Sequence, residues 1–241
     1  MINRAVGIQF RRGLRDGIPI ALGYFSVSFT FGIMGALDGF TWWQVVLISM
    51  TNLTSAGQFA GLEIMMAMGS FLEMALTEFV INLRYGLMAI SLTQNLDERF
   101  RGIWRVLMGF GITDEIFAVA VSRKEPVTRS YFFGLMLIPY WSWTFGTLTG
   151  VVLGSVLPTI VVTSLGIAIY GMFIAIVVPV AKKESRVLFS VILAIMLSCL
   201  LAYVPALSFV SSGFSIILCA VIASAVAAVL FPVQNVQEVA Q

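Results

Sequence analysis

The chain has 241 residues, 59% hydrophobic and 11% charged, with 14 Lys and Arg against 12 Asp and Glu for a net charge of +2. Soluble domains carry about 25% charged residues, so this composition excludes a soluble enzyme or a basic nucleic-acid-binding domain and predicts a polytopic membrane protein. Histidine is absent, which removes the commonest transition-metal ligand and the usual neutral-pH proton carrier; no metal and no cofactor are expected.

The chain opens MINRAVGIQFRRGLRDG, too polar for the core of a cleavable signal peptide. Ile2, Val6, Phe10, Leu14 and Ile18 recur every four residues, and Arg4, Arg11, Arg12 and Arg15 occupy the rest. This pattern predicts that 1–16 forms a basic amphipathic helix at the cytoplasmic membrane surface, with the N-terminus inside. A crossing helix needs about 20 apolar residues. Hydrophobic segments lie at 17–37, 42–62, 68–92, 106–122, 130–154, 158–181, 186–204 and 207–231. The predicted fold is therefore all-α: one membrane-embedded transporter domain over 1–241 with seven or eight helical segments. Polar motifs concentrate in the first half, 17–122, whereas the second, 130–231, is nearly free of charge. Arg123, Lys124 and Arg129, and then Lys182, Lys183 and Arg186, mark cytoplasmic loops. The uncharged turns at Leu157-Pro158 and Tyr203–Pro205 belong outside. Cys199 and Cys219 sit in separate apolar segments and are expected to be small buried hydrophobes.

Two segments leave alternatives open. Arginine-containing loops flank 106–122 on both sides, so either this segment dips in and returns on one face, or it crosses and loop 97–105 lies outside. Gly109, Gly111 and Thr113 suit a broken element, which a membrane tolerates only where protein or water satisfies its backbone. Segment 42–62 raises the same question through Asn52, Thr54, Ser55, Gly57 and Gln58. A weak internal repeat is also legible: Thr30-Phe31-Gly32 recurs as Thr144-Phe145-Gly146, and Gly57-x-Phe59 as Gly171-x-Phe173. Transporters often contain such repeats, with the substrate held between them.

Chemistry concentrates in three motifs. Thr51 to Phe59 is the densest uncharged polar cluster, and a helix break there would free backbone groups for the ammonium and carboxylate of an amino acid. Ser55, Gly57 and Gln58 are the candidate substrate-binding residues; close helix packing is the bland alternative. In the second motif, Asn82 and Arg84 place an amide and a guanidinium in an apolar helix. Arg84 needs an anion, either Asp114, Glu115 or a substrate carboxylate, unless it snorkels to an interface. Glu73 is about 16 Å from Arg84 along that helix, too far for a direct pair. In the third motif, Asp114 and Glu115 follow flexible glycines. Adjacent carboxylates repel, which suits one of them to exchange a coupling proton; a structural counter-ion to Arg84 is the other reading.

The succession Gly17-Ile18-Pro19 with Gly23, then Ser55-Ala56-Gly57-Gln58-Phe59, Asn82-Leu83-Arg84-Tyr85 and Thr113-Asp114-Glu115 resembles the AzlC family. The later run Trp143, Gly146-Thr147, Gly150, Leu157-Pro158 and Phe173-Ile174 to Pro179 extends the likeness over nearly the whole chain. These are the larger subunits of two-component branched-chain amino acid exporters. The resemblance implies a multi-pass cytoplasmic (inner) membrane protein that exports leucine, isoleucine and valine, with methionine as a further substrate. It also implies a small hydrophobic partner of the AzlD type. Export would be coupled to the proton gradient through Asp114 or Glu115. A passive channel or structural subunit is the alternative, and the lack of catalytic constellations argues against an enzyme. Glu63, Glu73 and Glu78 make this chain more acidic here than the family pattern.

Overall fold

A computed structural model describes residues 2–154, 156–157, 160, 174, 177–207 and 209–231, with side chains from residue 6 onward. The helices are α1 (Ile2–Leu37), α2 (Trp42–Thr51), α3 (Ser55–Met66), α4 (Phe71–Thr93), α5 (Ile103–Phe110), α6 (Asp114–Val121), α7 (Arg129–Gly154), α8 (Ser185–Tyr203) and α9 (Ser212–Leu230). Among the described residues there is no β-strand, only an isolated bridge between Leu96 and Val127. Among the described residues four helices are long and apolar enough to cross a membrane: Val6–Leu37, Phe71–Thr93, Ser185–Tyr203 and Ser212–Leu230. Most of segment 158–181 and the repeat residues Gly171–Phe173 lie outside the described residues.

The chain forms two compact units, 1–62 with 81–167 and 63–80 with 168–241. The spine of the first is a parallel pair, α1 and α7. Glycines let their backbones touch, as in close-packed membrane helices. A Cβ at Gly13 would strike the carbonyl of Tyr131, one at Gly32 the carbonyl of Thr147, and one at Gly150 the carbonyl of Phe29. Ser142 Oγ donates to the Ala21 carbonyl (2.6 Å) midway. Pro19 and Pro139 lie inside these helices without ending them.

This pairing corrects the reading of 1–16 as a separate surface helix. The apolar stripe from Val6 to Ile18 continues into the crossing segment as one helix. Polar residues of its first turns meet the rest of the unit while Arg11, Arg12 and Arg15 stay exposed: Arg123 donates to Gln9 (3.2 Å), Arg12 pairs with Glu125 (3.4 Å), and Tyr131 donates to Asp16 (2.7 Å). These contacts place the arginine-rich start of α1 and the loops at 95–102 and 123–129 at one end of the unit, called here the basic face.

Both ambiguous segments are broken. The segment around 106–122 consists of α5 and α6, separated by Gly111–Thr113. The chain on either side is stitched together: Val127 N–H donates to the Asn95 carbonyl (2.7 Å) and Asp97 N–H to the Val127 carbonyl (3.0 Å). The chain thus leaves and returns at the basic face. Along α7, the ring of Trp104 lies against Phe133 and that of Phe110 against Tyr140, so α5 climbs to mid-depth, and α6 descends back towards Arg123. Segment 42–62 splits at Asn52–Thr54. Val45 packs on Gly35 near the far end of α1, Tyr140 reaches the Met50 carbonyl (3.1 Å), and the ring of Phe59 returns to Phe31. This pair of half-helices therefore enters from the end opposite the basic face and also turns at mid-depth.

In the second unit α8 and α9 form an antiparallel pair, with Phe189 against Phe231 (5.5 Å). Buried Glu73 caps the start of α9. It accepts from the Ser211 hydroxyl and from Gly213 N–H (3.2 Å), a favourable place for a carboxylate because helix N-termini carry partial positive charge. Cys199 is exposed and Cys219 partly so, which corrects the expectation that both are buried: they lie on outward faces of α8 and α9, where an apolar thiol suits lipid.

Candidate functional site

The two helix breaks face each other at mid-depth of the first unit. At the tip of α2–α3, Thr51 turns its hydroxyl onto the carbonyls of Leu47 (2.8 Å) and Ile48 (3.3 Å), satisfying the last turn of α2. Asn52 is extended (φ −131°, ψ 106°), and its side chain accepts from Thr54 N–H (3.2 Å). The first intrahelical bond of α3 runs from Gln58 N–H to the Thr54 carbonyl (2.9 Å). The amides of Ser55, Ala56 and Gly57 form the first turn and have no helical acceptor. At the tip of α5–α6, Gly111 closes α5, and Thr113 (φ −131°, ψ 170°) caps α6 by accepting from Ile116 N–H (3.3 Å). Asp114 and Glu115 then occupy the first turn, where the helix dipole favours acids.

The paired acids take different partners. Asp114 forms an ion pair with Arg84 (2.9 Å), each side chain being partly exposed. Arg84 also donates to the Tyr85 hydroxyl (3.1 Å) and lies over that ring, 4.9 Å from its centre. Glu115 faces Tyr24 of α1, whose hydroxyl donates to it (2.7 Å) and shares a 2.5 Å hydrogen bond with the Thr113 hydroxyl. Across the gap, Thr54 donates to Asn82 (2.9 Å). The ring of Trp143 meets Tyr24 edge-on at 5.2 Å.

Of the residues singled out in the sequence, Ser55, Gly57, Asn82, Arg84, Asp114 and Glu115 gather around these tips. Gln58 is there too, but buried at 1% exposure with both ends of its amide engaged: it donates to Ser49 (2.8 Å) and accepts from the Trp143 indole (2.8 Å). Ser49 is in turn bonded to Thr147 (2.7 Å). Gln58 thus locks the first tip to α7. Arg84 finds its anion in Asp114. Tyr24 and Tyr85 were not singled out as site residues, because a tyrosine in an apolar helix has many uses. Only the spacing of Tyr85 next to Arg84 hinted at the cluster. Tyr140 and Trp143 of α7 border it, through the Met50 carbonyl and the Tyr24 ring.

A cavity of about 760 Å³ opens on the basic face, lined by Val6, Gln9, the Asp97–Arg99 turn, Arg101 and the Thr128–Ser130 turn. It lies away from the tips, and its arginines are nearly balanced by Asp97 and Glu98. The tip cluster therefore carries the stronger case for a substrate site, since it combines helix ends, an ion pair and aromatic walls.

The AzlC protein family model matches residues 19–157, a stretch that holds both tips and every residue of the cluster. Over 176 residues the chain is 34% identical to an Archaeoglobus fulgidus protein named "Uncharacterized membrane protein", covering 72% of this chain and 77% of that one. It is 32% identical to the Escherichia coli inner membrane protein YgaZ, over 61% of each chain. A Helicobacter pylori membrane protein is 27% identical over 61% of this chain and 67% of its own. No solved structure matches. With more than half of its length matched by the family model and membrane proteins as its relatives, the chain belongs to the AzlC family.

Proposed function

We propose that this protein is a secondary transporter that exports branched-chain amino acids across the cytoplasmic membrane, driven by the proton gradient and working with a small AzlD-type subunit. The observation that carries this reading is the meeting of two broken helices at mid-depth around an ion pair and two tyrosines. Backbone freed at a helix break is tolerated in a membrane only inside protein or beside a wet cavity, and that is where transporters bind substrate. In this reading α2–α3 and α5–α6 are re-entrant hairpins dipping from opposite faces. The crossings among the described residues are α1, α4, α7, α8 and α9, and the basic face with the N-terminus is cytoplasmic.

The first-turn amides of α3 at Ser55 and Gly57 receive the substrate carboxylate, with Asn82 beside them, and Gln58 holds that turn in place from behind. Arg84 balances charge by shuttling between Asp114 and the substrate. Aromatic neighbours accept the branched side chain. Glu115 carries the coupling proton, since it accepts from the Tyr24 hydroxyl, whereas Asp114 already answers a cation. The test is efflux of preloaded radiolabelled leucine from vesicles holding this chain with and without its small partner. Saturable, partner-dependent efflux supports the reading. Flux without saturation would identify a passive channel, and no flux of leucine, isoleucine, valine or methionine would overturn the substrate assignment.

A further inference from the structure

Tyr24 is fixed at its ring and bonded at its hydroxyl. The ring is buried against the edge of Trp143 (5.2 Å), and the Trp143 indole is itself anchored to Gln58 (2.8 Å). The phenol oxygen meets two groups at the start of α6: the Glu115 carboxylate at 2.7 Å and the buried Thr113 hydroxyl at 2.5 Å. A phenol carries one proton, and an ionised carboxylate only accepts. The Tyr24 proton therefore goes to Glu115, and the bond to Thr113 runs from the Thr113 hydroxyl to the Tyr24 oxygen. Thr113 in turn accepts from Ile116 N–H (3.3 Å) as the cap of α6. With Glu115 charged, every proton in this chain has an acceptor.

A proton on Glu115 upsets that count. On the oxygen that faces Tyr24, it must be donated to Tyr24. The Tyr24 proton then turns to Thr113, and the Thr113 proton loses its one acceptor among the described residues. On the other oxygen, the proton leaves Tyr24 bonded to a neutral acid, and a charge-assisted bond is about twice as strong as a neutral one. The tip is held less tightly in both cases, and among the described residues Glu115 has no salt bridge to fall back on. The other titratable or charged groups around it are already engaged. Its neighbour Asp114 pairs with Arg84 of α4, Arg84 donates to Tyr85, and Tyr140 of α7 gives its hydroxyl to the Met50 carbonyl. Tyr24 cannot follow the tip, because Trp143 fixes its ring. We propose that Tyr24 is the positioning residue that couples the charge on Glu115 to the seat of the α5–α6 tip on α1: ionised Glu115 keeps the tip docked, and its protonation frees it. The hairpin that enters from the basic face then moves only while it carries a proton. This rests on the transporter reading for what the release serves; the hydrogen-bond count stands without it.

The experiment uses the full chain, with its partner, in vesicles and in a background lacking Cys199 and Cys219. Ile112→Cys, at a buried position in the break between α5 and α6, reports release of the tip through its rate of maleimide labelling, normalised to the denatured chain at the same pH. Glu115→Gln mimics the protonated acid and is expected to raise labelling about fivefold, as the weakening of one hydrogen bond shifts a two-state equilibrium. Tyr24→Phe is expected to raise it by a similar factor. The double variant should exceed neither single one, because both act through the same bond. Acidification should raise labelling of the parent and leave Glu115→Gln and Tyr24→Phe flat, which a merely structural tyrosine would not do. Thr113→Ser, which keeps the hydroxyl, should label like the parent, whereas Thr113→Val should label faster. Amide hydrogen exchange over 112–117, measured without the added cysteine, must rank the variants in the same order, which guards against a reporter that disturbs the fold. Independent effects that multiply in the double variant, an unchanged rate in Tyr24→Phe, or a pH response that survives in it would overturn the assignment. Labelling that follows the expected pattern without amino-acid flux would leave the Tyr24 bridge standing and remove the transporter reading; gradient-driven flux with multiplying effects would do the reverse.

Discussion

Glu73 and the pair Asp114–Glu115 are acids set in apolar sequence at the first turns of helices, yet their surroundings differ. Glu73 is buried at 6% exposure and is saturated by donors at the start of α9. Among the described residues it has no salt-bridge partner, and it acts as a clasp. Asp114 and Glu115 are only partly buried, and their partners are side chains, a guanidinium and a phenol. A carboxylate whose donors are backbone N–H and a cap hydroxyl is fixed by the fold. One whose donors are long side chains can trade them for a substrate or a proton. The number of hydrogen bonds matters less here than who supplies them.

That contrast can be broken by experiment. The largest effect is expected from Asp114→Asn combined with Glu115→Gln, which should lower proton-driven leucine efflux by roughly a hundredfold or more, measured in vesicles with an imposed pH gradient. Undiminished gradient-driven efflux would remove the pair from coupling. Glu73→Gln should leave the pH dependence of efflux unchanged while costing about 1.5–3 kcal/mol of stability through its charge-assisted bonds, read as a lower melting temperature in detergent. A shifted pH profile in that variant would erase the distinction drawn here. Gln58→Leu should cost about 1–3 kcal/mol, since Ser49 and Trp143 lose a buried partner, with the loss appearing in melting more than in substrate affinity. Arg84→Gln should cost within about 1 kcal/mol of stability, because the pair is partly exposed, but should reduce transport well beyond that. The sharpest topological check carries no energy scale. Single cysteines at Asn95 and Ser122 should react from the same face of the membrane, and opposite faces would mean that α5–α6 crosses.

Much of this was legible in the sequence. Charges stranded in apolar segments pointed to Arg84, Asp114 and Glu115, because a charge in hydrocarbon is costly enough to need a partner. Gly109, Gly111 and the run from Thr51 to Gln58 announced the breaks. The boundaries of α4, α7 and α8 followed from hydropathy to within a few residues. Other features depend on pairings between distant residues and leave little local trace. Gln58 meets Trp143 across 85 positions, and Tyr24 meets Thr113 across 89. Nothing near Gln58 says that its amide faces inward to protein and not outward to a ligand. The continuity of α1 was missed because its basic stripe has the look of a surface helix. What converts it is a docking partner in the loop at 123–125, more than a hundred residues away. The direction of the second hairpin was undecidable from charge alone and turned on two backbone bonds joining Asn95, Asp97 and Val127.

The parallel α1–α7 spine has a consequence for how the protein is made. Ala21 and Ser142, partners at its midpoint, are 121 positions apart. At a synthesis rate of about 5–20 residues per second, the glycine-lined face of α1 waits about 6–24 s for the helix that covers it. During that interval α2 to α6 emerge with half-helices that cannot satisfy their own ends in lipid. Truncation ahead of residue 129 would therefore leave the glycine face of α1 without the helix that covers it.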